Sequence, residues 1–375
     1  MIILIVIAAV LSVVVWNSKK ADPETGPDTT MEEPEDIDGN DDSPISTGDA
    51  DHLTDEPGPA YDQLAGVESV NPLTGEPMDL ARAANRPLAI VMANTADALP
   101  MNGVSDADII YEVLVEGGIT RMLALFQDFT HVEKAGSIRS ARHYTVEIAA
   151  SYDAIYISAG GSPQAFAEIR SSGIPHLNEV EGPRREIFFR DRNRISGQRL
   201  ESLHSVVTTG ERVVQWLPFY DFRLNHEDGY VRALDFAEDG TPAGGANATR
   251  IVVSFSSKTT TFNYNADKNV YNLYQFNRDF IDANDNSKPD FTNVLVLKTR
   301  TAPIPGDDSG RITMETTGTG EGFFACGGKY IEIIWSRDNK TSQFTYTHRD
   351  GTPLELGVGK TFICIIPTTM DASFS

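Results

Sequence analysis

The first 62 residues are too uniformly greasy, and then too uniformly acidic, to join a packed core, which confines any globular fold to the rest of the chain. Residues 2–16 (IILIVIAAVLSVVVW) run without a charged side chain. As a helix they span about 22 Å, short of the ~30 Å hydrocarbon core of a bilayer. Asn17, Ser18 and the snorkelling stems of Lys19 and Lys20 extend that length. Residues 17–62 then hold 15 Asp and Glu against two lysines, a net of −13 out of the chain's formal −23. A segment rich in Pro, Gly, Asp and Ser buries too little apolar surface to offset its ordering entropy. It reads as a disordered acidic spacer with a reach of roughly 40 Å. Residues 1–16 read as a transmembrane anchor or signal segment. No small-residue cleavage site precedes the spacer and no Cys follows the apolar run to accept lipid, so an uncleaved anchor through residues 2–16 is expected.

The remainder carries −10 and divides in two by pattern. Residues 63–235 mix helix and strand signals. Residues 109–116 alternate in polarity, and Gly117-Gly118 joins them to a second β-prone run over 119–126, which predicts a hairpin. Ser140 reads as the N-cap of a helix over 141–152, followed by a strand over 153–159. Ser162-Pro163 then opens a helix that Gly173 closes. This order predicts an N-terminal α/β layered domain. Residues 236–249 (EDGTPAGGANAT at the core) read as a linker, and 250–370 as a mostly β domain with strand patterns near 251, 261, 270, 294, 311, 330, 344 and 361. The fold class expected is therefore mixed α/β.

Composition narrows the chemistry. A net acidic chain lacks the positive field that phosphate backbones require, so no nucleic-acid partner is expected. Two cysteines and seven scattered histidines give no ligand spacing, so neither a metal site nor a cofactor is expected. Asp282-Ala-Asn284-Asp-Asn286-Ser287 imitates the start of a calcium loop, but Ser287 stands where that loop needs glycine; a turn is expected. Cys326 and Cys364 fall on strand patterns and fit either a disulfide or two buried thiols.

Several stretches together resemble a known family. NPLTG (71–75), ADIIYEVLVEGGITRMLALFQ (107–127), GSIRSAR (136–142), YDAIYISAGGSPQA (152–165), GKYIEIIWSRDNKT (328–341) and DGTPLELGVGKTFICIIP (350–367) are similar to the YerB-like lipoproteins, a two-part family of unknown function in bacterial cell envelopes. The resemblance implies a mixed α/β architecture and folded domains outside the cytoplasm, attached to the cell membrane. Where the family's last strand often carries Trp, this chain has Phe362.

Two constellations could carry function. The first is ligand binding. Arg139 and Arg142 flank Ser140 beside His143 at an expected helix start, and Gly160-Gly161-Ser162 forms a second strand-to-helix turn. Backbone N–H groups and guanidinium forks at such turns attract anions. Residues 134–199 hold ten Lys and Arg against seven Asp and Glu, a positive window in an acidic chain. The partner expected is an anionic envelope polymer or an envelope protein. The second constellation is catalytic. If Gly117-Gly118 is a two-residue turn, Leu114 pairs with Arg121, and Arg121 lies diagonally between Glu112 and Glu116 on one face. That trio would suit a hydrolase or transferase acting on cell-wall polymer, with the Glu pair as acid and base. A purely structural Glu–Arg–Glu cluster is the preferred reading of it, and no nucleophile elbow or triad appears, so the sequence leans away from an enzyme.

Overall fold

The structure, a computed structural model, describes residues 66–182, 185–200 and 202–375; the expected anchor and acidic spacer lie outside them. Among the described residues no helix is long and apolar enough to cross a membrane.

A single mixed sheet organises the fold. Its strands are β1 (Leu88–Asn94), β2 (Ile109–Leu114), β3 (Thr120–Phe126), β4 (Ile155–Ser158), β5 (His176–Asn178), β6 (Ala246–Asn247), β10 (Asn293–Thr299), β11 (Gly318–Cys326), β12 (Lys329–Arg337), β13 (Thr345–His348) and β14 (Thr361–Pro367). They lie in the order β6-β12-β11-β10-β14-β2-β3-β1-β4-β5, with β13 added on β12. Residues from both halves of the chain therefore share this sheet. The join is the parallel pairing of β14 with β10 on one side and with β2 on the other. A second antiparallel sheet, β7 (Arg250–Ser254), β8 (Thr259–Asn265), β9 (Val270–Gln275) and β15 (Ala372–Phe374), covers one face. The helices α1 (His143–Ser151) and α2 (Pro163–Ser172) pack on the other. The short helix α3 (Gly210–Trp216) follows in the chain.

Alternation explains the layering, since successive side chains of a strand point to opposite faces. Ile90, Met92, Ile110, Met122, Phe362 and Cys364 face Ile251, Phe262 and Leu273 of the second sheet. Their neighbours Val91, Tyr111, Leu123 and Ile363 face Tyr144, Ile148 and Ala149 of α1. Strands buried on both faces read as near-continuous apolar runs, as residues 88–93 do.

The mixed α/β class holds, with a C-terminal half that is mostly β. Helix α2 is as the sequence reads: the Ser162 hydroxyl accepts from Ala165 N at 3.1 Å, Pro163 fills the first turn, and Gly173 ends the helix at φ 67°. Helix α1 is a correction. It begins at His143, and Arg142, not Ser140, takes the cap position; the Arg142 N–H donates to Thr145 Oγ1 at 3.1 Å. The hairpin is corrected by one residue. Val113 pairs with Arg121 and Glu112 with Met122, because residues 116–118 form the turn and the Val115 N–H donates to Ile119 O at 2.9 Å. Two short strands, Asp235–Ala237 and Ala246–Asn247, lie in the stretch expected to be a linker. Cys326 and Cys364 are free buried thiols and form no disulfide.

Candidate functional site

The segment 138–142 runs beside β1 and then meets the turn after β4. The Arg139 N–H donates to Val91 O at 2.8 Å, and the Ala141 N–H donates to Gly160 O at 2.9 Å. The two strand-to-helix turns are thus laced together at the carboxyl ends of the parallel strands β1 and β4, the edge where open α/β sheets present ligand sites.

Two guanidiniums grip one carboxylate here, and a third stands near them. Arg142 grips Glu116 with two donors, Nε to Oε2 at 2.9 Å and Nη2 to Oε1. Arg121 reaches the same Oε1 from Nη2 at 3.2 Å and donates through Nη1 to Ser140 O. Arg139, half-buried, donates to Leu203 O at 2.8 Å, and among the described residues no carboxylate pairs with it. Arg121 and Arg142 are 4% and 5% exposed, whereas the Glu116 side chain keeps 25%, so the carboxylate is the part that solvent reaches. Burial works to raise the Glu116 carboxyl, but the Arg142 hydrogen bond and the Arg121 and Arg142 charges outweigh it and hold it below its usual range. Burial, reinforced by the neighbouring Arg142 charge, brings Arg121 down to about 10. His143, at the helix start, has its imidazole pushed down by burial against the opposing pull of Glu147, and its Nε2 lies 3.3 Å from Thr313 Oγ1.

The glycine turn is committed to local structure. The Gly160 N–H donates to Asn178 Oδ1 at 2.8 Å, the Ser162 hydroxyl caps α2, and Gly161 packs against Ala141 and Phe166. The structure therefore brings Gly160, Gly161 and Ser162 beside Ser140 and Arg142, with the Gly160 amide already paired. What the sequence missed is Arg121 in this cluster. The signal lay in EGGITR itself, because a three-residue turn turns Arg121 toward the Arg142 face.

The trio Glu112, Glu116 and Arg121 is not assembled as expected. Glu112 points to the opposite face of the sheet, toward β8 and β9, while Glu116 sits in the turn with Arg121 and Arg142. Glu112 is fully buried and ion-paired with Lys258 Nζ at 2.6 Å, an interaction invisible in sequence because Lys258 follows Phe255-Ser256-Ser257 and reads as an exposed turn residue. Around it, Asn94 Nδ2 and Thr120 Oγ1 donate to Oε1 at 2.9 and 2.7 Å, and Thr260 Oγ1 donates to Oε2 at 2.8 Å.

A separate carboxyl, Asp108 at the foot of β2, ties the NPLTG loop to the sheet. Asn71 Nδ2 donates to its Oδ1 at 2.8 Å and the Gln127 N–H to its Oδ2 at 2.6 Å. Burial nevertheless lifts it from 3.8 to about 6. Because the folded value lies above the unfolded one, the stability linked to its protonation is present in full below about pH 4 and is lost as pH rises through 6, a change of about 3 kcal/mol for this one group. A carboxyl-carbon NMR titration should place the Asp108 midpoint near pH 6; a midpoint near 4 would show that its two donors dominate instead.

Two domain profiles match the chain. One, described as the N-terminal domain of a protein of unknown function (DUF3048), covers residues 73–215, and the corresponding C-terminal domain covers 251–363. The chain belongs to this family. It is 29% identical over 307 residues to "Putative lipoprotein YerB" of Bacillus subtilis (strain 168), spanning 81% of this chain and 88% of that protein. The crystal structure of the YerB protein from Bacillus subtilis matches with a TM-score of 0.70 at 26% identity, covering 82% of this chain and 99% of the other. Both family domains contribute to the site's support: the N-terminal domain carries the arginines, and Thr313, which contacts His143, lies in the C-terminal one.

Proposed function

We propose that this family member is an extracytoplasmic protein, anchored to the cell membrane by residues 2–16, that binds an anionic envelope polymer or envelope protein through Arg139, Arg142 and Arg121, beside Ser140 and His143. The observation that carries the reading is the grip of two guanidiniums, Arg121 and Arg142, on a single partly exposed carboxylate with Arg139 nearby, a concentration of positive charge inside an acidic chain. Guanidinium forks hold carboxylates and phosphates in two-point contacts, which gives orientation as well as attraction. The location rests on the apolar run followed by an acidic spacer and on the lipoprotein description of the relative.

The test is binding of purified anionic wall polymers and of envelope fractions to the soluble part of the chain. Replacing Arg139 and Arg142 together by Ala should reduce retention by about tenfold or more, since hydrogen bonds to charged groups contribute roughly 1.5–3 kcal/mol each. Undiminished retention by the double variant would remove the reading. For location, protease added to intact cells should remove the folded region; full protection would count against it.

A further inference from the structure

We infer that the ligand of the arginine site presents a carboxylate, and that Glu116 occupies the place of that carboxylate until the ligand displaces it. The inference rests on the anion-binding reading above and deepens it. Glu116 already shows how the site holds a guest. Its two oxygens lie on the Nε and Nη2 edge of Arg142, and Arg121 Nη2 adds a third donor to Oε1. This is the in-plane fork that fits a two-oxygen anion, and both guanidiniums are held in place by backbone carbonyls, Arg121 on Ser140 O and Arg142 on Ala141 O at 2.7 Å. The receptor is therefore rigid and pre-formed.

The guest is the partner that solvent reaches. Glu116 sits on the turn of the β2–β3 hairpin, between Val115 and the pair Gly117 and Gly118, whose φ values are 67° and 71°. A Cβ at Gly117 would meet nothing within 4 Å, whereas one at Gly118 would come within 2.8 Å of Ser256 Cβ, so the turn is open on the Gly117 side and packed on the other. Among the described residues, no ion partner of Glu116 appears other than Arg121 and Arg142. Arg139 stands alongside with its charge unmatched by any described carboxylate, ready to meet a second charge or polar group on the incoming molecule. A carboxylate tethered so close competes at high effective concentration, so the resting site binds free anions weakly.

The experiment compares the wild-type chain with Glu116→Ala, using acetate, N-acetyl-dialanine, its C-terminal amide and methyl phosphate as probes, with chloride as the ionic-strength control. Acetate and N-acetyl-dialanine should bind the variant at least about tenfold more tightly than the wild type and should recover the variant's lost melting temperature. The amide should not bind, and methyl phosphate should bind more weakly than the carboxylates. If Glu116→Ala fails to fold in plain buffer, refolding in acetate but not in chloride supports the exchange, and failure in both is answered with Glu116→Gln under the same readouts. Equal carboxylate affinity in wild type and variant overturns the exchange. Tighter binding of methyl phosphate overturns the choice of carboxylate. Should anions bind wild type and variant alike and lose binding in Arg139→Ala/Arg142→Ala, the anion site stands and only the exchange falls. Should no probe or wall polymer bind any form, both readings fall.

Discussion

Replacing Lys258 by Met should lower the unfolding free energy by about 3–5 kcal/mol, the cost of stranding one member of a buried ion pair. Lys258 and Glu112 have side chains 1% and 0% exposed, and the ammonium is 2.6 Å from Oε1. Burial pulls the Lys258 amine below its usual value while Glu112 works to raise it. Lys258 also donates to Thr260 Oγ1 at 3.2 Å and lies 5.2 Å from the centre of the Phe276 ring. Removing the ammonium leaves a carboxylate with Asn94, Thr120 and Thr260 as neutral donors and no counter-charge. Urea denaturation should show the lost midpoint at an unchanged slope. Adding Glu112→Gln should recover most of the loss, because a neutral amide no longer needs the ammonium. A loss below about 1 kcal/mol in the single variant would mean that water or a neighbouring group solvates Glu112.

Phe362→Ala should cost a similar amount, about 3–5 kcal/mol. Phe362 lies on β14, has no exposed surface, and meets the rings of Phe262 and Phe291 edge-on at 4.9 and 5.1 Å. Phe262 belongs to β8, so this aromatic trio fastens the second sheet to the strand that joins the two halves of the main one. Truncation removes two edge-to-face contacts and leaves a hole between rigid layers that cannot close over it. The same denaturation measurement decides it; a loss under about 1.5 kcal/mol would show that the layers collapse around the gap.

Local signals were legible where the chemistry is local. The cap and stop of α2 are written in Ser162, Pro163 and Gly173, and β9 shows its alternating burial directly in VYNLYQ. Most of strand β11 was illegible because GTGEGFF looks like turn sequence, although Cys326 at its end falls on a strand pattern. Its glycines serve close packing: a Cβ at Gly320 would come within 2.5 Å of Trp335 Nε1, and one at Gly322 within 2.7 Å of Val296 O. The arginine cluster was half legible. Arg139, Ser140, Arg142 and His143 were readable from spacing, whereas the role of Arg121 depended on whether the Gly117-Gly118 turn holds two residues or three. A dipeptide alone does not fix that register, and a slip of one residue moves a side chain to the other face. Lys258 could not be found at all from sequence, since its burial depends on β2, a strand about 150 positions earlier.

The placement of β14 between β10 and β2 has a consequence for how the molecule comes into being. Synthesis delivers a polypeptide amino end first, so β2 waits with a bare hydrogen-bonding rim until residues 361–367 emerge, after every other strand of the main sheet. Such a rim invites mispairing with other chains. This last strand of the main sheet acts as the closing stitch, and a product cut off before it would keep an open seam down the middle of that sheet.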